Sequence, residues 1–208
     1  MPGKRNPLLL VFAGPNGAGK TTISRRLQAG GQLPKNYVNA DDIGRKLGIN
    51  DLDAANEADR QRADLIQQRK SFATETVLST DRKIKLMEQA KAAGYTVVLV
   101  YVTTQSADIN VDRVEKRRLE GEHYVPEDKV RSRYQRGTEI FHEAFRIADA
   151  VEVYDNSEPD AIPKLIAEKK DGKVSIYPVG GWSRDRIKNL IYGKKKDRIS
   201  KIIFKGSP

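Results

Sequence analysis

The sequence has 208 residues and a formal net charge of +10, a length that suits one α/β domain with a core of its own. It contains no cysteine, which excludes disulfide bonds and thiolate metal sites. Since no apolar run approaches the ~18 residues typical of a membrane span, we expect a cytoplasmic protein that does not enter a membrane.

The first predicted strand leads directly into a glycine-rich turn and a helix. The apolar strand covers Leu8 to Ala13, and the spacing from Gly14 to Thr21 fits G-x-x-x-x-G-K-[ST], the pattern of a P-loop. The backbone amides of such a loop bind phosphate, its lysine neutralises the β- and γ-phosphates, and its threonine hydroxyl binds Mg²⁺. The predicted site for ATP and Mg²⁺ comprises Gly14, Pro15, Asn16, Gly17, Ala18, Gly19, Lys20, Thr21 and Thr22, with Thr21 as the Mg²⁺ ligand.

A short second strand is predicted from Tyr37 to Ala40, and it ends in Asp41 and Asp42. In an open parallel sheet the carboxyl ends of the strands line the ligand crevice, which puts these carboxylates near the phosphates. A kinase needs a carboxylate that takes the proton of the acceptor hydroxyl as the phosphoryl group arrives. Asp41 is the first candidate for this base and Asp42 the second, while the alternative role for either is to cap a helix.

Strands and helices continue to alternate as far as residue 155. Asp51 or Asp53 is predicted to cap a helix that carries its arginines, among them Arg62, on the outer face. A second helix ends at Gly94, just before an apolar strand of the kind that parallel sheets bury. The remaining predicted strands of this part are 71–76, 96–102 and 150–155.

Two arginine-rich helices follow the strand at 96–102. The first carries Arg113, Arg117 and Arg118, and the second carries Arg131, Arg133 and Arg136. Guanidinium groups neutralise the charge on a phosphoryl group in transfer, and each can bind two oxygens at once. We therefore predict a lid at about residues 113–136 that closes over ATP and supplies one or two arginines.

The pattern changes after residue 157. Two predicted strands flank Asp171 and Gly172, a pair that is a strong hairpin signal, and a final helix is predicted between 180 and 192. From Trp182 to Pro208 the chain holds six Lys and three Arg against two Asp, a net charge of +7. Such a tail would bind an anionic partner such as a nucleic acid, but we favour a solvated chain end.

These elements predict an α/β P-loop NTPase fold, with a doubly wound parallel sheet, helices on both faces, a small C-terminal hairpin and a basic tail. The predicted units are a kinase core at 1–157, an appended hairpin and helix at 158–193, and the tail at 194–208. The strand at 96–102 ends in Thr103 and Thr104 rather than in the Asp of a Walker B strand, and the Asn-Lys-x-Asp motif of GTPases is missing. The chain thus has the plan of a small-molecule kinase.

The ordered motifs resemble those of the zeta toxin kinases over roughly residues 7–157. They are the P-loop, Val38-Asn-Ala-Asp-Asp-Ile43, Phe72-Ala-Thr-Glu-Thr76, Arg113-x-x-x-Arg117, Gly121-Glu-His-Tyr-Val-Pro126, Arg131-x-Arg133-Tyr134 and Tyr154-Asp-Asn156. The resemblance implies a kinase that uses ATP and Mg²⁺ to phosphorylate the 3'-hydroxyl of the amino sugar in UDP-N-acetylglucosamine. It also implies an antitoxin protein as a partner, since many members of the family have one.

Roles for individual residues follow from the resemblance. Asp41 would be the general base, and Glu75 and Thr76 would bind the sugar-nucleotide acceptor. Lys20 would act at the phosphates, and Arg117 would be the first lid arginine.

The sequence departs from the family at the second lid arginine. Its position holds His123, so either Arg133 as a catalytic residue or Arg118 beside the acceptor must serve, or the step that this arginine supports is weakened. The chain is also shorter than the well-known toxins and lacks much of their helical acceptor-binding insertion. Other acceptors therefore stay open, namely another sugar nucleotide, a nucleoside, an antibiotic hydroxyl or a nucleic-acid 5'-hydroxyl. A nucleotide-binding partner protein without catalysis is the alternative from another class.

Overall fold

The computed structural model describes residues 6–121 and 124–193, so that His123 and the predicted basic tail at 194–208 lie outside the described residues. The strands of the described part are β1 (Leu8–Ala13), β2 (Asn36–Val38), β3 (Phe72–Thr76), β4 (Thr96–Thr103), β5 (Ala150–Asp155), β6 (Lys164–Lys170) and β7 (Lys173–Ile176). The helices are α1 (Lys20–Ala29), α2 (Ala40–Leu47), α3 (Asp51–Gln67), α4 (Asp81–Ala92), α5 (Ala107–Leu119), α6 (Glu127–Ile147) and α7 (Arg184–Tyr192).

All seven strands form one sheet in the order β2-β3-β1-β4-β5-β6-β7. The strands from β2 to β5 pair in parallel, whereas β6 is antiparallel to β5 and β7 is antiparallel to β6. The hairpin turn has positive φ at Asp171 (50°) and Gly172 (74°), as a two-residue turn that matches strand twist requires. The predicted fold class is confirmed, and the hairpin extends the central sheet.

Side chains of β1 alternate between the two faces of the sheet, and each face is covered by helices. Leu9 and Val11 belong to a buried cluster with side chains from α3, α4, α6 and α7, and Leu10 and Phe12 belong to a second cluster with side chains from α1. This alternation buries β1 from Leu9 to Ala13 and fixes the end of the strand, where the P-loop begins. None of the helices in residues 6–121 and 124–193 combines the length and the apolarity that a membrane crossing needs.

The second strand is shorter than predicted, because a helix begins directly after it. β2 ends at Val38, and the side chain of Asn39 accepts a hydrogen bond from the backbone N–H of Asp41 (2.9 Å), which caps α2. Asp41 and Asp42 therefore lie in the first turn of a helix, where negative charge complements the helix dipole. The prediction that they end a strand was wrong.

Two predictions about α3 are also wrong. Asn50 caps the helix, in place of Asp51 or Asp53, because its side chain accepts from the backbone N–H of Asp53 (3.0 Å). Arg62 is only 2% exposed instead of facing solvent. Burial of its charge is possible because the guanidinium donates to Thr74 Oγ1 (2.9 Å) and forms an ion pair with Asp59 (2.6 Å).

Candidate active site

The loop between β1 and α1 requires glycine for steric reasons. Gly14 has a φ of 145°, and a Cβ atom there would lie 2.0 Å from the carbonyl oxygen of Val102 in β4. Gly17 has a φ of 76°, and its Cβ would lie 2.6 Å from the backbone carbonyl oxygen of Asn110. Only a residue without a side chain allows the loop to pack this closely against the neighbouring strand and helix.

Two asparagine side chains hold the P-loop from outside. The Asn110 amide in α5 donates to the carbonyl of Asn16 (2.5 Å), and the Asn156 amide after β5 donates to the carbonyl of Ala18 (2.8 Å). Asn110 is fully buried, and its own side-chain oxygen accepts from the hydroxyl of Thr104. These bonds fix the direction of two peptide units in the loop that is predicted to surround the phosphates. Sequence reasoning missed Asn110, and it used Asn156 only as part of a motif.

Lys20 is the first residue of α1 and folds back over the loop. Its Nζ donates to the carbonyls of Gly14 (2.8 Å) and Pro15 (3.0 Å). Burial disfavours the charged ammonium and lowers the pKa of Lys20 to about 8. A phosphate bound by the loop would lie near this ammonium group and would favour its charged form.

Four charged side chains lie close enough to Lys20 to change its pKa. The carboxylates of Glu75 and Asp41 favour the charged ammonium, and the guanidinium groups of Arg117 and Arg133 disfavour it. The structure thus brings the P-loop lysine together with residues from β3, α2, α5 and α6. All four were predicted as site residues, although their roles remain predictions.

Asp41 and Asp42 line a cleft of about 880 Å³ beside α1, a size that holds a small-molecule ligand. The cleft is bounded by α1, α2, the start of α3 and the end of α5, and Thr21 and Thr22 belong to its wall. Asp42 forms an ion pair with Arg45 within α2. The backbone N–H of Asp41 takes part in the helix cap. Of the two aspartates, Asp41 is the one whose charge affects the pKa of Lys20.

The carboxylate of Glu75 is held by hydroxyl groups. It accepts from the hydroxyls of Ser24 (2.6 Å) and Thr21 (3.2 Å) in α1 and from the phenol of Tyr37 in β2. Burial and the contact with Glu75 raise the pKa of Tyr37, so this phenol keeps its proton and acts as a donor. Neither Ser24 nor Tyr37 was a predicted site residue.

Thr76 is the last residue of β3 and is tied to the local backbone. Its hydroxyl accepts from the backbone N–H of Leu78 (3.0 Å), and its carbonyl accepts from the N–H of Gly14 (3.2 Å). Thr76 therefore stabilises the turn after β3 and the start of the P-loop. Its predicted contact with the acceptor remains a prediction.

The arginines of the predicted lid have different surroundings. Arg117 lines the cleft, and Arg133 donates to the side-chain oxygen of Asn16 in the P-loop (3.2 Å). Arg118 instead forms a two-pronged pair with Glu115 and lies over the ring of Tyr124. Arg133 is therefore the better placed of the two candidates for the second lid arginine.

Arg113 connects the first lid helix to the loop that holds the P-loop. Its guanidinium donates to the backbone carbonyl of Asn156 (2.7 Å), the residue whose side chain binds Ala18. The positions of α5 and of the P-loop are thus coupled through one residue after β5.

A residue that binds Mg²⁺ needs an oxygen that faces the phosphates, and Thr21 fits this need. Its hydroxyl lies at the start of α1 and donates its proton to Glu75, which leaves the oxygen lone pairs able to bind a cation. Within residues 6–121 and 124–193 there is no cluster of three or more metal-binding side chains. This is compatible with Mg²⁺, which is commonly held by one or two protein groups together with phosphates and water.

Sequence comparison matches residues 1–179 to the family described as Zeta toxin. An uncharacterized protein of Haemophilus influenzae is 30% identical over 130 residues, which make up 60% of this chain and 91% of that protein.

Two solved structures share the fold. A crystal structure of AvrRxo1-ORF1:-ORF2 with ATP superposes with a TM-score of 0.69 at 18% identity, over 91% of this chain and 64% of that one. A structure from the PezAT chromosomal toxin-antitoxin system of Streptococcus pneumoniae superposes with a TM-score of 0.56 at 17% identity, over 95% of this chain and 84% of that one. The chain thus spans somewhat less than two thirds of the first of these structures. At such low identities the likeness concerns the fold.

Proposed function

The chain belongs to the zeta toxin family, and from this premise we propose that it is a kinase that uses ATP and Mg²⁺. Its proposed acceptor is a hydroxyl of UDP-N-acetylglucosamine or of a related sugar nucleotide. The proposal is supported most by the position of Asp41, whose carboxylate lines a cleft of about 880 Å³ and lies near enough to Lys20 to affect its pKa.

The proposed chemistry is an in-line transfer of the γ-phosphoryl group. The P-loop and Lys20 would hold the β- and γ-phosphates of ATP, and Thr21 would hold Mg²⁺, which when bound neutralises part of the phosphate charge. The acceptor hydroxyl gives its proton to the carboxylate of Asp41 while its oxygen bonds to the γ-phosphorus. The bond from that phosphorus to the bridging oxygen breaks, and ADP leaves. Arg117 and Arg133 would neutralise charge on the phosphoryl group in transfer.

Charges along the cleft fit an acceptor that is itself anionic. Arg25, Arg45 and Arg117 line the same cavity as Asp41. Guanidinium groups bind phosphate oxygens in pairs, so a diphosphate could be held while a sugar hydroxyl reaches the base. Asp41, Asp42 and Asp51 line the cleft as well, so the proposal of a sugar nucleotide rests on these arginines and not on the net charge of the cleft.

The proposed biological role is that of the toxin in a toxin–antitoxin pair. Family membership supports this role, and PezAT is described as a toxin–antitoxin system. An antitoxin protein is accordingly the proposed partner.

Mass spectrometry tests both the reaction and the acceptor. The purified protein is incubated with ATP, Mg²⁺ and UDP-N-acetylglucosamine, and we expect one added phosphoryl group on the sugar nucleotide. Asp41→Asn should lower the rate by about 100-fold or more, since a lost general base costs about 10²–10⁴, while the Kd for ATP stays near that of the wild type. Asp42→Asn is the matched control and should retain most of the activity.

Each outcome of this experiment has a separate meaning. Full activity of Asp41→Asn would refute the base assignment. ATP binding without a phosphorylated product would reject this acceptor and lead to assays with other sugar nucleotides, nucleosides, antibiotics and RNA 5'-ends. Absence of ATP binding by the wild type would refute the kinase proposal itself.

A further inference from the structure

The sheet places one carboxylate beside the predicted metal ligand. β3 pairs in parallel with β1, and Glu75 is in register with Phe12, two residues before the P-loop begins. On the other side of β1, β4 ends in Thr103, and its successor Thr104 directs its hydroxyl to Asn110 and Ser106. A carboxylate that could support a metal ion at the P-loop therefore comes from β3 and not from β4, the strand at which a Walker B Asp was expected.

Hydrogen bonds determine what this carboxylate can do. Thr21 donates its hydroxyl proton to one oxygen of Glu75, and this direction turns the lone pairs of Thr21 away from the carboxylate. The other oxygen accepts from Ser24 and Tyr37, which fix the orientation of the group. The loss of a carboxylate that orients a metal ligand in this way typically lowers metal affinity by about 10- to 100-fold.

The same bonds leave the Glu75 carboxylate little freedom to bind an acceptor. One oxygen already accepts two hydroxyl protons, and the charge of the group acts more strongly on Lys20 than that of any other residue. The carboxylate thus faces the phosphate and metal side of the P-loop. A sugar hydroxyl would have to displace Ser24 or Tyr37 to bond to this oxygen, whereas the other oxygen accepts a single, longer bond from Thr21 (3.2 Å) beside the predicted metal ligand.

We propose that Glu75 is the metal-side carboxylate of this protein: it orients the Thr21 hydroxyl as a Mg²⁺ ligand and supplies negative charge next to the ion. Tyr37 and Ser24 are positioning residues that hold Glu75. This inference rests on the proposed use of ATP and Mg²⁺, and it gives Glu75 a role that differs from the acceptor contact implied by the family resemblance.

Nucleotide binding as a function of Mg²⁺ tests the inference without catalysis. The Kd of a fluorescent ATP analogue is measured in EDTA and over a range of Mg²⁺ concentrations. For Glu75→Gln we expect the Kd in EDTA to stay within about twofold of the wild type. The Mg²⁺ concentration that gives half of the Mg²⁺-dependent increase in nucleotide affinity should rise about 10-fold or more. Tyr37→Phe retains the carboxylate and should raise this Mg²⁺ concentration by a smaller factor. This second variant keeps the test valid if Glu75→Gln does not fold.

Glu152 and Tyr154 in β5 provide the matched control. They form the same kind of tyrosine-to-glutamate hydrogen bond (2.9 Å) on an exposed part of the sheet. Glu152→Gln and Tyr154→Phe should leave the Mg²⁺ dependence unchanged.

Two results would overturn the inference, and they differ in what else they refute. If the wild type binds the analogue with a clear Mg²⁺ dependence that Glu75→Gln and Tyr37→Phe share, Glu75 has no metal-side role and the kinase proposal stands. A rise in the KM for the acceptor would then favour the acceptor role. If the wild type shows no nucleotide binding or no effect of Mg²⁺, the inference and the proposed function fail together.

Discussion

The bond from Asn110 to the P-loop makes a quantitative prediction about stability. Asn110→Ala removes a fully buried amide that donates to the carbonyl of Asn16 and accepts from Thr104. Thr104 keeps its bond to the carbonyl of Ser106 (2.9 Å), so the main loss is one buried carbonyl without a partner. Such a group costs about 1–3 kcal/mol. In a domain of this size each kcal/mol lowers the Tm by about 2–4 °C, and a loss of about 1–3 kcal/mol therefore predicts a decrease of about 2–12 °C.

Thermal unfolding followed by circular dichroism, with and without ADP, measures this effect. Because the lost bond also loosens the loop, the increase in Tm that ADP gives should be smaller in Asn110→Ala than in the wild type. Gln135→Ala is the control, since Gln135 lies on an exposed part of α6 and bonds only to Glu139 among the contacts of the described residues. The change in its Tm should correspond to less than about 0.5 kcal/mol in the free energy of unfolding. An Asn110→Ala protein with the wild-type Tm and the wild-type response to ADP would refute the reasoning.

Three further predictions concern charged residues. Phosphate binds the ammonium form of Lys20, whose pKa is about 8. The affinity for ATP should therefore be nearly constant from pH 7 to 8 and should fall above pH 8 by at most about tenfold per pH unit. A fluorescence titration measures this dependence. Arg62→Met should lower the free energy of unfolding in urea by about 1–3 kcal/mol, because Thr74 loses a buried donor. Arg133→Ala should slow phosphoryl transfer by about 100-fold, while Arg131→Ala on the same helix, which removes surface ion pairs with Asp108 and Glu127, should not.

Each of these predictions can fail clearly. A flat pH profile would show that the titration of Lys20 does not affect the affinity for ATP, and an equal decline in Lys20→Met would show that another group causes it. An Arg62→Met protein as stable as the wild type would mean that apolar packing replaces the buried charge without cost, as happens for some buried ion pairs. Equal rates for the Arg133 and Arg131 variants would remove Arg133 from the lid.

Sequence patterns predicted the strands well because their signals are local. The apolar runs that became β1 and β4 are long enough for burial on both faces, β5 alternates buried residues with more exposed ones, and the Asp171-Gly172 pair specifies its own turn. α2 was missed because the three-residue strand before it leaves no clear boundary. The two carboxylates after Asn39 are a helix N-terminal signal, but they were assigned to a strand end.

The interior of the site was harder to predict because it depends on partners that are distant in sequence. Arg62 lies on the same helix face as Ala58, and whether a charge can be buried there depends on Thr74 and Asp59. Asn110 carries no signal, since a lone asparagine on a helix usually faces water. P-loop spacing, in contrast, identifies Lys20 and Thr21 because phosphate chemistry limits which residues can occupy those positions.

The two asparagine bonds to the P-loop also have a consequence for biosynthesis. Asn110 is 94 positions after its partner Asn16, and Asn156 is 138 positions after Ala18. A ribosome that adds about 5–20 residues per second needs on the order of 10 s to make the segment between the P-loop and Asn156. Until that segment has emerged and folded, the nascent chain lacks at least the bond from Asn156 to the loop. The loop therefore gains its full support only after five of the seven strands have been synthesised.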